Sequence, residues 1–554
     1  MFTDPVPELD CHGYYFRGGV FFGSMFCVLV WWIVNRQAPP TAANGRKFQS
    51  PPMLQSKLPF GIDSMLTLMR SVREFRLPVA LMELHDRMGD TYACMLFGMR
   101  AIRTRDPRNI KAILATQFEG KWYFPLNYGL AQERKAHHSL LGNMGIFSVD
   151  GVSWSHSRAL LRPCFDRANV SDLGQLEGFM QIFFSRINEL PREPFTHARA
   201  VELQELFQCL TMDSSANFLF GNPIGALAPK KYALGNGEMT FNQAFDIAQY
   251  GLAMRAPLSS FYWLYNGREF REACSTARTQ VAVYVSRTLR KLNLAEKNPE
   301  KKGLGKKYVF LEELAERTQD PRVLQDQVLG VMLAGRDTTA ALLSWTFLCL
   351  ARNPEVFRKL RAEISAAVGV DGDARLPTQE ELRSMQYLRW IIQEVLRLYP
   401  PVPINARRAL RATTLPYGGG PDGNSPISIR KGERVVYSAF SLHRRTDVYG
   451  PDANEFRPER WGEEALRRIG WGWLPFNGGP RICLGREFTT LSPLLEIVLT
   501  VETEQMALTH ASYVVTRMMQ VYKEITPKDF TLADDAYDTK LVMASGRGVH
   551  VFLS

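Results

Sequence analysis

The sequence lacks the residue patterns from which disulfide frameworks and structural zinc sites are built. Its eight cysteines are scattered along 554 residues without a C-x-x-C pair, at positions 11, 27, 94, 164, 209, 274, 349 and 483. Such spacing excludes a disulfide-rich secreted domain and a zinc finger, and it fits a reducing compartment. The glycine-rich stretch 418–423 has G-x-G-x-x-G spacing but reads as a turn and does not open a helix, so no nicotinamide or flavin site is indicated.

A long tract of lysine and arginine is also absent, and no RNA-binding motif is present, so we do not expect nucleic acid as a partner. The chain is nevertheless basic, with 67 Lys and Arg against 56 Asp and Glu, a net charge of +11 and a pI of about 9.2. This balance favours an anionic membrane surface or an acidic partner protein. The composition, 45% hydrophobic and 22% charged, is that of a globular protein with an ample core.

The N-terminus carries one uncharged apolar run, residues 18–34, which has the minimum length for a membrane span. Acidic residues precede this run and basic residues follow it. The pattern predicts a single transmembrane anchor within residues 1–36, with the rest of the chain facing the cytosol. A cleaved signal peptide is the alternative, but it would need basic residues first and a small-residue cleavage site.

The rest of the chain divides into a short linker and one long region. Residues 37–60 are rich in proline and predict a stiff linker, and residues 61–554 follow as helical patches broken by proline and glycine. Short β-branched runs at 435–437 and 549–552 predict strands, and the glycine-rich stretch 418–423 predicts a turn. The sequence therefore predicts a mostly helical chain with little sheet.

One long apolar segment, residues 326–350, is followed by Asn353 and a proline and predicts a helix through the core. Its middle contains Gly335, Asp337 and Thr338, and polar groups in a buried helix need partners or a function. Gly335 weakens the helix, and the Thr338 hydroxyl can bond to the carbonyl four residues earlier. Together they would open the helix to water; a satisfied polar patch at a kink is the alternative.

Two further patches combine charge with apolar surroundings. Glu394 and Arg397 share one face of an apolar helix, and with Arg460 downstream they predict a buried charged triad. In the second patch, Trp154 and Arg158 place an indole N–H and a guanidinium one helical turn apart. Both groups are donors that suit a carboxylate.

The most informative segment is the glycine-rich loop from Phe476 to Gly485, which places Cys483 two residues after Arg481. A nearby guanidinium and loop N–H groups favour the thiolate, the form of cysteine that binds metals. Gly479 and its neighbours permit positive φ and let a flat ligand approach the backbone. A lone cysteine is more often a small buried apolar residue, but the whole ten-residue pattern favours a ligand.

This loop resembles the haem-binding loop of the cytochrome P450 family, F-x-x-G-x-R-x-C-x-G, and the other patches follow that family's order and spacing. The resemblance extends from about residue 61 to the C-terminus and includes the N-terminal anchor. It implies a mainly α haem domain with small β-sheets, preceded by a transmembrane helix. It also implies a haem-thiolate monooxygenase that inserts one oxygen atom from O2 into an apolar substrate.

The resemblance implies a role for each matching residue. Cys483 would be the metal ligand and give haem b (iron protoporphyrin IX) its axial thiolate, which favours O–O cleavage. Asp337 and Thr338 would be catalytic and supply protons for oxygen activation. The remaining cofactor-binding residues would be Trp154, Arg158, Ala334, Gly335, Phe476, Arg481 and Gly485, with Arg407 a weaker candidate near the propionates. Glu394, Arg397 and Arg460 would be structural, and Arg336 would point to the far side of its helix.

The resemblance also implies partners and a location. Electrons would come from a separate NADPH-dependent flavoprotein reductase, with cytochrome b5 a second candidate donor, and the enzyme would lie in the endoplasmic reticulum membrane. The motifs AGRDTTA and FNGGPRICLG are similar to those of fungal alkane and fatty-acid hydroxylases. A long-chain alkane or fatty acid, hydroxylated at or near the chain end, is the expected substrate; a secondary-metabolite hydroxylase is the alternative.

The chain departs from the family pattern after Gly485, where an extra segment, about 488–505, precedes the helix expected beneath the haem. Pro493 would interrupt a helix there. The segment is either a tolerated loop or translated intron sequence. The second case would give a catalytically impaired haem-binding membrane protein. A haem-thiolate enzyme that rearranges peroxides without a reductase is a further alternative, but it would have little use for Asp337 and Thr338.

Overall fold

The structure is a computed structural model that describes residues 42–43, 46–96, 98–118, 128–130, 134–165, 172–228, 239–256, 258–297, 308–484, 506–529 and 536–554. The predicted anchor at 18–34, Gly485 and the segment 488–505 lie outside these residues. None of the helices in the described ranges combines the length and the apolar character needed to cross a membrane.

Helices dominate the described chain, as the sequence predicts. In chain order they are α1 (Ile62–Arg73), α2 (Leu77–Met88), α3 (Pro107–Lys111), α4 (His138–Leu141), α5 (Gly151–Leu161), α6 (Leu173–Asn188), α7 (Leu203–Phe220), α8 (Phe241–Arg255), α9 (Arg268–Lys297), α10 (Phe310–Arg317), α11 (Pro321–Arg352), α12 (Pro354–Val368), α13 (Gln379–Ser384), α14 (Gln386–Leu398), α15 (Ala439–Leu442), α16 (Thr446–Tyr449) and α17 (Met506–Val521). Short 3-10 turns connect several of them, and a π-helical segment, Ala112–Thr116, follows α3.

The strands form small sheets. They are β1 (Ala42–Ala43), β2 (Arg46–Lys47), β3 (Thr91–Leu96), β4 (Met99–Thr104), β5 (Tyr128–Gly129), β6 (Arg199–Glu202), β7 (Ile404–Ala409), β8 (Thr413–Gly419), β9 (Ser425–Ile429), β10 (Arg434–Ser438), β11 (Ile525–Pro527), β12 (Tyr537–Thr539), β13 (Met543–Ser545) and β14 (His550–Leu553). The largest sheet has the order β3-β4-β10-β7-β5, and β10 is parallel to β4. The predicted strands at 435–437 and 549–552 are confirmed as β10 and β14. The turn predicted at 418–423 lies between β8 and β9, but its first two residues belong to β8.

Helix α11 runs through the core, as its apolar sequence predicts. Asp320 caps its N-terminus by accepting hydrogen bonds from two backbone N–H groups of the first turn, and Pro321 occupies the first helical position. The helix ends where expected, at Asn353. In its second half Trp345 is fully buried and stacks on Tyr399, with 4.1 Å between the ring centroids. This helix carries Ala334, Asp337 and Thr338 and so positions one side of the candidate site.

Helix α14 packs on α11 through one apolar face. Leu388, Ile391, Ile392 and Val395 recur at helical spacing and are all buried. Full burial of such a side chain contributes about 1.5–3 kcal/mol, so this face alone fixes the helix firmly. The same helix carries two of the charged residues discussed below.

Part of the predicted linker is hydrogen-bonded to the sheets. The Leu54 N–H donates to the carbonyl of Ala93 at 2.8 Å, and the Ala93 N–H donates to the Pro52 carbonyl at 2.8 Å. The Gln49 N–H donates to the Pro426 carbonyl of β9 at 3.1 Å. Residues 49–54 are therefore attached to strands β3 and β9. The domain limits 37–60 and 61–554 stay predictions.

Candidate functional site

The cysteine loop is shaped by backbone conformations that few residues adopt. Asn477 and Gly479 have φ values of 65° and 69°, in the left-handed region. A Cβ at position 479 would overlap the carbonyl oxygen of Leu114, so only glycine fits there. The Cys483 N–H donates to the Phe476 carbonyl at 3.1 Å and closes the loop. Cys483 itself is exposed, so its sulfur is accessible to a ligand.

Arginines and one tryptophan surround this loop. Arg158 on α5 donates from Nη1 to the Ile482 carbonyl at 3.0 Å, which ties α5 to the residue before the cysteine. Arg481 Nη2 lies 2.5 Å from Asp150 Oδ1 and 2.7 Å from the Val149 carbonyl oxygen. The Arg481 guanidinium also lies over the Trp154 ring, 4.7 Å from its centroid. The predicted cofactor-binding residues Trp154, Arg158 and Arg481 are thus neighbours.

The electrostatics of this cluster favour an anionic ligand. Burial lowers the pKa of Arg481 to about 10; Asp150 opposes this, while Arg407, Arg134 and Arg158 lower the value further. Burial likewise lowers the pKa of Arg158, and its electrostatic interaction with Cys483 opposes that shift. Partly buried guanidinium groups that repel one another are stabilised by added carboxylates. The cluster therefore fits a cofactor that carries two carboxylates next to a thiolate-bound metal.

The middle of α11 holds the second part of the site. Thr338 Oγ1 donates to the Ala334 carbonyl at 2.6 Å, the backbone bond expected from the sequence. The helix nevertheless stays continuous from Pro321 to Arg352, so this bond does not open it. Ala334 and Thr338 share one face at i,i+4 spacing. Gly335 faces α7 instead, because a Cβ there would lie 3.4 Å from Ser215 Oγ.

Asp337 is a largely buried carboxyl with an incomplete set of hydrogen bonds. Its Oδ2 has no hydrogen-bond partner among the described residues. Burial raises the pKa of Asp337; the charge of Arg336, 3.6 Å away, opposes the shift, and Asp246 adds to it. Arg336 is buried and points to α8, away from the face of Ala334 and Thr338.

Glu394, Arg397 and Arg460 come together as a charged triad whose residues are all 0% exposed. Arg397 Nη2 and Arg460 Nε each lie 2.8 Å from Glu394 Oε1. Trp461 Nε1 donates to Glu394 Oε2 at 3.0 Å, and Arg397 also donates to three backbone carbonyls, those of His443, Ala453 and Glu455. Such added hydrogen bonds are what a buried ion pair requires.

A residue that sequence reasoning did not assign connects this triad to the cysteine loop. His443 Nδ1 lies 3.1 Å from the Arg397 carbonyl oxygen, and His443 Nε2 accepts from the Leu474 N–H at 2.8 Å. Burial lowers the pKa of His443 to about 3, so the ring is neutral and can accept this bond. Leu474 lies two residues before Phe476, where the loop begins. His443 lies 31 residues before Leu474 in the chain, so local sequence does not reveal this contact.

Comparison with known proteins identifies the class to which this fold and site belong. The sequence profile of the cytochrome P450 family matches residues 64–519. The chain is 41% identical over 505 residues to "Cytochrome P450 52A13" of Debaryomyces hansenii. The aligned residues make up 89% of this chain and 90% of that protein. It is 43% identical over 444 residues to "Cytochrome P450 52A5" of Candida maltosa (79% and 77% covered). It is 37% identical over 508 residues to a "Cytochrome P450" of Arthroderma benhamiae (91% of each).

The chain belongs to the cytochrome P450 family. It is accordingly a haem-thiolate monooxygenase whose cofactor is haem b with a cysteine thiolate as axial ligand. Its co-substrates are O2 and an apolar molecule, and its electrons come from a redox partner. The predicted family, cofactor and reaction class are thereby confirmed.

Proposed function

We propose that this chain hydroxylates long-chain alkanes or fatty acids at or near the chain end. Support comes from its similarity, over most of its length, to the yeast proteins of the 52A group and from the alkane-hydroxylase motifs of its own sequence. We further propose an anchor within residues 1–36 that holds a catalytic domain, residues 61–554, on the cytosolic side of the endoplasmic reticulum membrane.

Cys483 provides the thiolate ligand of the haem, and the arginine cluster binds the haem carboxylates. The single observation that carries this assignment is the crowding of Arg158 and Arg481 around Trp154, directly beside the cysteine loop. Phe476 closes the loop by accepting the Cys483 N–H bond. When bound, haem with a thiolate ligand activates O2, because the sulfur donates electron density to the iron.

Asp337 and Thr338 move the protons that the reaction consumes. Because burial raises its pKa, the Asp337 carboxyl holds a proton more readily than an exposed aspartate and can release it within the protein. The Thr338 hydrogen points at the Ala334 carbonyl, which leaves the lone pairs of Oγ1 to accept a hydrogen bond from water. Ala334 is small and lies on the same face, so it leaves room beside that hydroxyl.

Electrons arrive from an NADPH-dependent flavoprotein reductase, and we propose cytochrome b5 as a second donor. The net charge of +11 favours association with acidic partner surfaces. The buried triad has a structural role only, because the side chains of Glu394, Arg397 and Arg460 bond to one another and to the backbone.

The decisive experiment combines microsomes containing this chain, a fungal reductase and NADPH with dodecane or dodecanoic acid. We expect the product to be hydroxylated at or near the terminal carbon, as measured by gas chromatography and mass spectrometry. Cys483→Ala is the control for haem-dependent chemistry. A normal haem spectrum without product from either compound would overturn the proposed substrate and favour a secondary-metabolite hydroxylase.

A further inference from the structure

A second buried basic site lies at the C-terminal end of α8, away from the cysteine loop. Arg255, the last residue of α8, is only 5% exposed. Its Nη1 donates to Ser139 Oγ at 2.6 Å. Its guanidinium lies over the rings of Tyr262 and Phe270, at 4.9 and 5.0 Å from their centroids. The site is therefore enclosed by α8, α4 and the start of α9.

Arg255 has no anionic partner among the residues that the structure describes. Within the described ranges no carboxylate contacts its guanidinium, and Nε is buried without a hydrogen bond. Burial is the main cause that lowers the pKa of Arg255, and no Asp or Glu charge offsets it. The carboxyl end of α8 offsets part of the unfavourable burial, but one hydroxyl and two rings do not replace a counter-ion.

His137 is the second incompletely bonded group at this place. It is 4% exposed, and neither ring nitrogen has a hydrogen-bond partner among the described residues. Burial holds the pKa of His137 well below its usual value, and Arg134, His138 and Arg255 lower it further. The imidazole is therefore neutral and offers one N–H donor, and it lies two residues before Ser139, which Arg255 contacts. Two buried side chains on this part of the fold thus have unused donors.

We propose that Arg255 and His137 bind the carboxylate head of a fatty-acid substrate. A carboxylate would give the buried guanidinium its missing counter-ion and accept the imidazole N–H. This inference rests on the proposed function, because it names the end of the substrate that is held.

The position of the site along α8 fits such a substrate. Asp246, on the same helix, contacts Arg336 beside the catalytic candidate Asp337. Nine residues separate Asp246 from Arg255, a distance of about 13 Å at 1.5 Å per residue. With its head group held at Arg255, a long alkyl chain that ran along α8 would reach the level of Asp337. Long acids reach that level and short acids do not.

The experiment measures binding of two matched ligands, dodecanoate and its uncharged methyl ester, by equilibrium dialysis of the haem-loaded enzyme. In Arg255→Gln we expect the ratio of dodecanoate to ester affinity to fall roughly 10- to 100-fold, the effect of losing a hydrogen bond to a charged group. Arg255→Lys keeps the charge and should retain part of the preference. Arg268→Gln, an exposed arginine of α9 paired with Glu272, is the matched control and should leave the ratio as it is.

Equal losses for both ligands, or an unchanged ratio in Arg255→Gln, would overturn the head-group site and make Arg255 a packing residue. The haem content of each variant shows whether it has folded. The binding ratio does not depend on turnover. An enzyme that hydroxylates neither compound would therefore contradict the proposed reaction while the ratio still tests Arg255.

Discussion

Arg336 Nη1 lies 2.5 Å from Asp246 Oδ1, so the centre of α11 is joined to α8 beside the catalytic candidate Asp337. Arg336 Nη2 reaches the same helix by donating to Asn242 Oδ1 at 3.1 Å. Arg336 is also 3.6 Å from Asp337 Oδ1, so the two carboxylates share one guanidinium. A change at α8 is therefore transmitted electrostatically to Asp337.

Asp246→Asn should shift the pH dependence of product formation to lower pH. The Asp246 charge raises the pKa of Asp337, so its removal lowers that pKa and leaves Arg336 to act on Asp337 alone. If Asp337 must be protonated to act, raising the pH abolishes activity in Asp246→Asn at a lower pH than in the unchanged chain. The measurement is a pH profile of product formed, with Asp447→Asn, an exposed aspartate paired with Arg445, as the control. Identical profiles would remove Asp337 from the proton path.

Thr338→Ala should uncouple electron use from product. The hydroxyl positions a proton donor, and such a group typically contributes 10²–10⁴-fold, so product per NADPH should fall roughly tenfold or more. Thr346→Ala is a matched control from the same helix. Thr346 Oγ1 donates to the carbonyl four residues earlier, that of Leu342, at 2.7 Å, as Thr338 does to Ala334. Product, NADPH and hydrogen peroxide are measured together. Equal coupling in the two variants would reduce Thr338 to a helix-packing residue.

Cys483→Ala should abolish activity together with the spectrum that thiolate-ligated haem gives with carbon monoxide. Water or a nitrogen ligand cannot donate the same electron density to iron. Cys209→Ala is the control, since this half-buried cysteine lies on α7 and should leave the spectrum intact. A normal spectrum in Cys483→Ala would contradict the ligand assignment.

Glu394→Ala should destabilise the fold by about 3–5 kcal/mol, because among the described residues it leaves Arg397 buried without a counter-ion and leaves Arg460 with Asp452 alone. Glu355 and Arg358 form an ion pair at the same i,i+3 spacing, but both side chains are exposed. Glu355→Ala should therefore cost less than about 1 kcal/mol. Urea unfolding measures the free energy of unfolding of both variants. Similar losses of that free energy would show that burial of the triad does not strengthen its contribution to stability.

Excision of residues 488–505 should raise the amount of haem bound per polypeptide. Pro493 and the apolar run that follows it separate the cysteine loop from α17, the helix expected beneath the haem. Loop length alone costs only about 0.6 kcal/mol per doubling, so we expect most of the gain to come from removing the apolar run itself. Haem and protein are quantified for both versions. Lower occupancy in the shortened chain would identify the segment as a native part of the fold.

Features that depend on local sequence could be predicted. The apolar run at 326–350 predicted α11, and the β-branched runs predicted β10 and β14. Hydrophobic periodicity and turn residues act over a few positions, which is why the pattern alone reveals them. The cysteine loop could be recognised for a similar reason, since its glycines and arginine stand within ten residues.

Features that depend on distant partners could not be predicted. Asp150 lies 331 residues before Arg481, and Asp246 lies 90 residues before Arg336, so no spacing rule connects either pair. At Thr338 the local sequence left two alternatives open, an opened helix or a satisfied polar patch. Its hydroxyl bonds to the Ala334 carbonyl as predicted, but the helix tolerates that bond without opening. Packing on both sides of α11 outweighs the local preference.

The contact between Gly479 and the Leu114 carbonyl brings two stretches of main chain together with no side chain between them. The separation between the cysteine loop and the π-helical segment is therefore set by contact between backbone atoms, which are the same in every residue. Substitutions of neighbouring side chains can therefore change the charge and polarity near the sulfur while this backbone contact stays in place. Substitution of the glycine itself, by contrast, would push the two stretches of main chain apart and displace the cysteine.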